Sequence, residues 1–107
     1  MTDFTYKRIS QEDAKKMMDT EKNLIILDVR TKEEFEEGHI KNAINIPNED
    51  LYPYEYLDLD IEMDTPILVY CRSGHRSLTA SLKLSLSGYS NVYEFGGILT
   101  WPYEIEN

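Results

Sequence analysis

One short segment of the chain carries the residues for nucleophilic chemistry, and it reads Cys71-Arg72-Ser73-Gly74-His75-Arg76 after the apolar run 66–70. A strand that passes into a helix through so short a turn leaves backbone N–H groups without partners, so these groups can converge on one anion. Neighbouring arginines and a helix N-terminus favour the thiolate form of a cysteine. We therefore predict that Cys71, the only cysteine, is a nucleophile, although a lone cysteine after an apolar strand can also be a small core residue.

The loop pattern Cys-Arg-x-Gly-x-Arg resembles the rhodanese (thiosulfate sulfurtransferase) domain, in the form associated with thiosulfate-type substrates. Residues 27–30, 34–40, 43–47 and 96–101 also resemble that family, in the family's order. One departure is Asn42, where the family often has Gly, but Asn tolerates a left-handed backbone. The resemblance implies a single rhodanese-like domain over residues 1–107, with five central strands and the active loop at their carboxyl ends.

Independently of the resemblance, predicted strands and helices alternate along the chain. This alternation predicts an α/β fold in which helices cover both faces of a parallel sheet. Predicted strands are 4–9, 24–27, 43–46, 66–70 and 91–95. Three helices are predicted. The first is capped by Ser10 and runs to about residue 19, and the third covers residues 78–86. The second is short, begins at the capping box Thr31-x-x-Glu34 and ends at Gly38.

Two features near the end of the chain complete the predicted elements. Leu78, Leu82 and Leu86 recur at helical spacing in the third helix, although the apolar residues there also alternate as in a strand. Gly96-Gly97 is predicted as a turn, followed by the start of a helix at 98–101 that Pro102 interrupts. We expect Trp101 to anchor the core rather than to bind a ligand.

Composition narrows the classes of function. The chain has 107 residues and a formal net charge of −9 with no basic block, which argues against nucleic acid or an anionic membrane as a partner. One cysteine cannot form an internal disulfide, and the first residues show no apolar signal region, so we expect a cytoplasmic protein. Two histidines and one cysteine offer no zinc spacing, and no cofactor is expected.

An acidic segment, residues 48–64, carries seven acids and no base, interleaved with tyrosines. It is predicted as a solvated connection with a short helix, or alternatively as a docking surface for a basic protein.

The resemblance and the loop chemistry together predict a two-step sulfur transfer. A thiosulfate-like donor would bind through its sulfonate to the arginines and backbone N–H groups of the loop: Arg72, Ser73, Gly74, His75, Arg76 and Ser77. The Cys71 thiolate would take the outer sulfur as a persulfide, and cyanide or a thiol would then remove it, giving ping-pong kinetics. Because there is no second cysteine, the acceptor must be an external molecule, which could be a protein.

Three further polar residues lie where a central strand ends or a helix closes, namely Asp28, Arg30 and His39. A catalytic role is conceivable at this edge of an α/β sheet. We predict instead that they give structural support, through charge-assisted hydrogen bonds between loops.

Two other classes of function remain as alternatives. Phosphatases of similar design place the arginine six residues after the cysteine, whereas Arg76 is five after Cys71, so phosphatase or arsenate reductase activity is less favoured. A sulfur-carrier or interaction module of the same fold is the second alternative, but it is weakened by the retained Cys71 and both arginines.

Overall fold

The computed structural model describes residues 6–107, and strands alternate with helices along this part of the chain. In order, the elements are β1 (Lys7–Arg8), α1 (Gln11–Thr20), β2 (Ile25–Asp28), α2 (Lys32–Glu37), β3 (His39–Ile40), β4 (Ile44–Asn45), a 3₁₀ turn (Asn48–Asp50), β5 (Ile67–Cys71), α3 (His75–Leu86), β6 (Val92–Gly97), a second 3₁₀ turn (Ile98–Thr100) and β7 (Ile105–Glu106). Among the described residues, none of the helices has the length and apolar character needed to cross a membrane.

Five strands form the central sheet, in the order β1-β6-β5-β2-β4, and every neighbouring pair is parallel. The prediction of a five-stranded parallel sheet is therefore confirmed. Of the predicted first strand 4–9, the sheet contains Lys7–Arg8, while positions 4 and 5 lie outside the described residues. β5 occupies the middle, which explains its uninterrupted apolar sequence, because both of its faces are covered.

The two faces of the sheet carry separate cores. Alternate residues of β5 divide between them: Val69 and Cys71 belong to the core that contains Ala80 and Leu84 of α3. Leu68 and Tyr70 belong to the opposite core, which contains Ala14 of α1 and Trp101. The period of two in a strand thus places the Cys71 side chain on the α3 face. Trp101 is a buried core residue, as expected.

Helix α3 packs through a face that the leucine spacing did not predict. Its buried residues are Ser77, Ala80, Ser81 and Leu84, whereas Leu78, Leu82 and Leu86 are only half-buried. The helix assignment is confirmed, but the leucine stripe is not the face buried against the sheet. These side chains are small, apart from Leu84, and so allow the helix backbone to approach the sheet closely. Ser77 places its hydroxyl group beside Cys71 at the end of β5.

The end of the chain also differs from the prediction. Gly96-Gly97 is not a separate turn but the last part of β6, and residues 98–101 contain a 3₁₀ turn instead of the start of an α-helix. β7 was not predicted, and it pairs antiparallel with β3 in a separate two-stranded sheet. Strands of two residues are too short to show an alternating pattern.

The structure confirms the helix caps that were predicted from the sequence. The Ser10 side chain accepts a hydrogen bond from the Asp13 backbone N–H at the start of α1. Thr31 and Glu34 form the predicted reciprocal capping box of α2, and Gly38 is its C-cap. Asn42 has φ of 69°, so the asparagine does adopt the left-handed backbone expected for it.

Candidate active site

The loop after β5 turns sharply into α3 and is fixed from the side by the end of β6. Gly74 is the N-cap of α3 with φ of 110° and ψ of 0°, a left-handed conformation that favours glycine. Leu99 N–H donates to the Arg72 carbonyl oxygen over 3.2 Å. A Cβ atom at Gly97 would overlap that carbonyl, so this close approach requires glycine. The loop is therefore held by the backbone of the segment 96–99.

The Cys71 sulfur is buried, and its hydrogen-bond partners are a backbone N–H group and a hydroxyl group. The residue is 1% exposed, and the Gly74 backbone N–H donates to Sγ over 3.0 Å. The thiol lies 3.4 Å from the Ser77 hydroxyl oxygen, to which it can donate. Among the described residues, Gly74 is the loop residue whose N–H contacts the sulfur. The side chains of Arg72, Ser73 and His75, in the same loop, are exposed. Cys71 thus lies at the N-terminus of a 12-residue helix and also packs in the apolar cluster that contains Ala80 and Leu84.

Behind the sulfur lies a chain of hydrogen bonds that ends at the protein surface. The Ser77 hydroxyl donates to Glu94 Oε2 over 2.5 Å, and the Gly96 N–H donates to the same oxygen over 2.9 Å. Arg8 Nε donates to Oε1 over 2.9 Å. Glu94 is fully buried, whereas the Arg8 side chain is 64% exposed.

The second arginine of the loop is held by an acid from α2. Arg76 forms a two-pronged ion pair with Glu34, with Nη1–Oε1 at 2.7 Å and Nη2–Oε2 at 3.0 Å. This hydrogen bonding is the main cause that lowers the pKa of Glu34 to about 2, assisted by Thr31. It also raises the pKa of Arg76, to which the nearby Cys71 adds a smaller contribution. Glu34 thus orients a guanidinium that also interacts electrostatically with Cys71.

Comparison with known proteins places the chain in a family. The model of the rhodanese-like domain matches residues 10–102. The chain belongs to the rhodanese family.

Individual relatives agree with this assignment. The thiosulfate sulfurtransferase GlpE of Coxiella burnetii is 33% identical over 97 residues, which are 90% of this chain and 87% of that protein. An adenylyltransferase and sulfurtransferase of Candida albicans is 33% identical over 106 residues, 94% of this chain. This chain spans only 24% of that relative's length. A rhodanese-related protein of Thermoplasma volcanium has a TM-score of 0.77 at 33% identity, covering 94% of this chain and 98% of the other. These names support a sulfurtransferase activity in general terms.

On the opposite face of this rhodanese sheet, Asp28 and Arg30 form a closed network. Arg30 Nη2 donates to Asp28 Oδ2 over 2.7 Å and to the Gly38 carbonyl oxygen over 2.6 Å. The Tyr70 hydroxyl donates to Asp28 Oδ2 over 2.6 Å and accepts from the Ile40 N–H over 3.0 Å. Burial first, and then Asp28, raise the pKa of Tyr70. These contacts join the ends of β2 and β5 to the end of α2 and to β3.

His39 lies apart from the loop, against α2. Its Nδ1 is 3.0 Å from the Phe35 carbonyl oxygen, and its ring stacks on the Phe35 ring with centroids 3.8 Å apart. Nε2 lies 3.6 Å from a carboxylate oxygen of Glu106 on β7. His39, itself a residue of β3, therefore contacts both α2 and the neighbouring strand β7. Within residues 6–107, no group of three His, Cys, Asp or Glu side chains is arranged to hold a metal ion.

Sequence reasoning missed the contacts of two residues at the candidate site, Glu34 and Glu94. The sequence pattern identifies Glu34 as a capping residue within a family-like stretch, and the available signal for its contact with Arg76 is that a cap carboxylate has a second oxygen that can bind a cation. Glu94 was overlooked because it lies inside the strand pattern. The available signal was the alternation Val92-x-Glu94, which puts an acid on the same buried face as Val92.

Proposed function

We propose that this rhodanese domain transfers a sulfane sulfur from a thiosulfate-like donor, through a Cys71 persulfide, to cyanide or a thiol. One observation carries the proposal: the sulfur of Cys71 lies at the N-terminus of α3 and accepts the Gly74 N–H. An N–H donor and a helix N-terminus stabilise negative charge on sulfur, whether it is a thiolate or a persulfide.

In the first step, the Cys71 thiolate attacks the outer sulfur of thiosulfate. The new bond joins Sγ to that sulfur, the sulfur–sulfur bond of the donor breaks, and its electron pair leaves with sulfite. The persulfide then carries the single negative charge that the thiolate carried. We propose that Arg72, Arg76 and the N–H groups of residues 73–77 bind the sulfonate, since the two arginines supply positive charge at the rim of the loop.

In the second step, the acceptor attacks the outer sulfur of the persulfide and restores the Cys71 thiolate. Cyanide leaves as thiocyanate, and a thiol leaves as its own persulfide. A protein acceptor is compatible with the similarity to the Candida albicans relative, whose name combines sulfurtransferase with adenylyltransferase activity. The acceptor is external because the chain has one cysteine.

Intact mass spectrometry tests the proposal directly. After incubation with thiosulfate, we expect an adduct of about 32 Da, the mass of one sulfur atom, which cyanide removes. Cys71→Ser should show neither the adduct nor thiocyanate formation while keeping its circular dichroism spectrum. Substantial thiocyanate formation by the folded Cys71→Ser variant would remove Cys71 from the mechanism.

The proposed role of the loop arginines in donor binding is tested by measuring how the rate depends on thiosulfate concentration. Arg76→Ala should raise the thiosulfate concentration needed for half-maximal rate by about tenfold or more, because it removes positive charge at the loop. Lys22→Ala is the matched control, since it removes an exposed positive charge that lies before β2, at the other end of the sheet. Equal thiosulfate dependence in the two variants would contradict the role of Arg76.

A further inference from the structure

Glu94 is a buried acid next to the proposed nucleophile, and the proposed reaction does not use it. Its carboxylate is fully buried on the α3 face of β6, and its Oε2 is joined to the Cys71 sulfur through one hydroxyl group, that of Ser77. A buried carboxylate is costly unless it is fully hydrogen-bonded, so its position calls for a physical explanation.

The donors around Glu94 fix where the protons lie. Arg8 Nε and the Gly96 N–H can only donate, so both carboxylate oxygens act as acceptors. The distance of 2.5 Å between Ser77 Oγ and Oε2 fits a charge-assisted bond from a hydroxyl to a carboxylate. The single proton of Ser77 therefore points to Glu94, and its oxygen presents lone pairs to the sulfur.

This arrangement suits a protonated sulfur. A thiol can donate its S–H to the Ser77 oxygen over 3.4 Å while it accepts the Gly74 N–H over 3.0 Å. A thiolate would keep the Gly74 bond but would face the lone pairs of Ser77, with the Glu94 charge behind them. A hydrogen bond to the neutral form and a nearby like charge both disfavour ionisation.

We propose that Glu94 holds the Ser77 hydroxyl away from Cys71 and thereby keeps the thiol protonated to a higher pH than the loop alone would allow. Glu94 is thus a positioning residue that sets the pH range in which the nucleophile forms. The inference rests on the proposed function only in taking Cys71 as the nucleophile.

Other charges around the sulfur act in both directions. Arg72 and His75 belong to the loop and the first turn of α3, and Arg8 lies on the edge strand. Arg76 favours the thiolate, but its charge is shared with Glu34 from α2 and is also felt by Asp28 on β2. Glu94 is distinguished from the other acids by its direct link to the sulfur through one hydroxyl group.

The decisive variant is Glu94→Gln, with Glu55→Gln as the matched control in the exposed part of the acidic segment. The variant removes the negative charge, and its neutral amide oxygen is a weaker acceptor than the carboxylate, so the Ser77 hydroxyl is less firmly held away from the sulfur. The rate of Cys71 alkylation by iodoacetamide is measured against pH, because the chain has one cysteine and mass spectrometry reports on it alone.

For Glu94→Gln, we expect the pH of half-maximal alkylation rate to fall by about one unit, which is about tenfold faster alkylation below that pH. The rates of the variant and the wild type should converge at high pH. Glu55→Gln should follow the wild type. A merely structural role of Glu94 would change the rate by a similar factor at every pH. Such a uniform change, or no change, overturns the proposal.

Ser77→Ala provides a second variant in case Glu94→Gln does not fold. If the hydroxyl is committed to Glu94, Ser77→Ala removes an acceptor of the thiol proton and no donor to the thiolate, so the pH of half-maximal alkylation should fall or stay at the wild-type value. If Ser77 instead donates to the thiolate, the midpoint should rise by about a unit or more, which would overturn the proposal. Thiosulfate loading of the wild type separates the two ideas. If the wild type is loaded with sulfur but the variants have the alkylation profile of the wild type, the proposed role of Glu94 is refuted and sulfur transfer is not. If the profiles shift but the wild type is not loaded with sulfur, sulfur transfer is refuted and the role of Glu94 is not.

Discussion

Asp28 and Glu94 are both fully buried carboxylates, and they flank the central strand β5 on its two sides. Each pairs with an arginine and accepts a hydroxyl hydrogen bond, from Tyr70 and Ser77 respectively. They face opposite sides of the sheet, because Tyr70 belongs to the core below α1 and Ser77 is on α3. Two similar carboxylates are therefore built into one sheet with different surroundings.

The difference lies in what closes each network. Arg30, the partner of Asp28, has a side chain that is only 6% exposed, and its remaining bond goes to the backbone of Gly38. Arg8, the partner of Glu94, is 64% exposed, and the other end of that network is a thiol. Burial of a charge therefore does not by itself indicate function. A network closed by protein on every side stabilises the fold, whereas one that ends on a reactive atom can tune it.

The largest expected effect comes from breaking the closed network. Asp28→Asn leaves the Arg30 guanidinium buried without a counter-charge, and we expect the free energy of unfolding to fall by about 3–5 kcal/mol. Denaturant unfolding followed by circular dichroism measures this loss. Glu94→Gln is the paired variant, and it should lose less than half as much because Arg8 can turn to water. Equal losses would contradict the distinction between the two networks.

A smaller effect is expected at the hydroxyl of the closed network. Tyr70→Phe removes the donor to Asp28 and the acceptor for the buried Ile40 N–H, which should cost about 1–3 kcal/mol of unfolding free energy.

Tyr93→Phe is the matched control for this substitution, since its hydroxyl donates to Asn91 at a half-buried position. We expect it to cost about 1 kcal/mol or less in the same unfolding experiment. If Tyr70→Phe proves as mild as Tyr93→Phe, the Tyr70 hydroxyl is not part of a tight structural network.

The elements that position the site could be predicted because their signals are local. The apolar run before Cys71, the left-handed Gly74 and the capping box at Thr31 each depend on a few neighbouring residues. The family resemblance then supplied the number of strands. Burial on both faces of β5 follows from its composition alone, which is why the central strand was located correctly.

The contacts behind the sulfur could not be predicted, because they depend on register. Between Val69 and Cys71 the pairing of β5 with β6 shifts, so that Val69 pairs with Glu94 and Cys71 with Gly97. Residues 94–97 of β6, four in number, thus lie opposite the three residues 69–71 of β5, as in a β-bulge. No pattern in the sequence indicates that β6 contains this extra residue. The face of α3 was misjudged for a related reason, since leucine spacing gives no weight to the small residues that allow a close approach.

The smallest expected effect concerns a third carboxylate, Glu34, which is more exposed than Asp28 and Glu94. Its pKa of about 2 lies below the ordinary 4.5, mainly because Arg76 donates hydrogen bonds to it. A carboxyl group with a lowered pKa in the folded state stabilises the fold above its ordinary pKa, and this contribution is lost as the pH falls towards the folded value. The stability advantage of the wild type over Glu34→Gln should therefore shrink between about pH 4.5 and pH 2.

Thermal unfolding over a pH series measures this advantage, which we expect to be about 1 kcal/mol or less at neutral pH, because the Arg76 side chain is 36% exposed. Glu33→Gln is the matched control, as it lies in the same first turn of α2 and is exposed. The stability difference between the wild type and Glu33→Gln should vary less over that pH range. If the stability differences of both variants from the wild type shrink in parallel, the effect comes from the helix N-terminus and not from Arg76. A pH dependence confined to Glu34→Gln would instead assign the effect to the ion pair between Glu34 and Arg76.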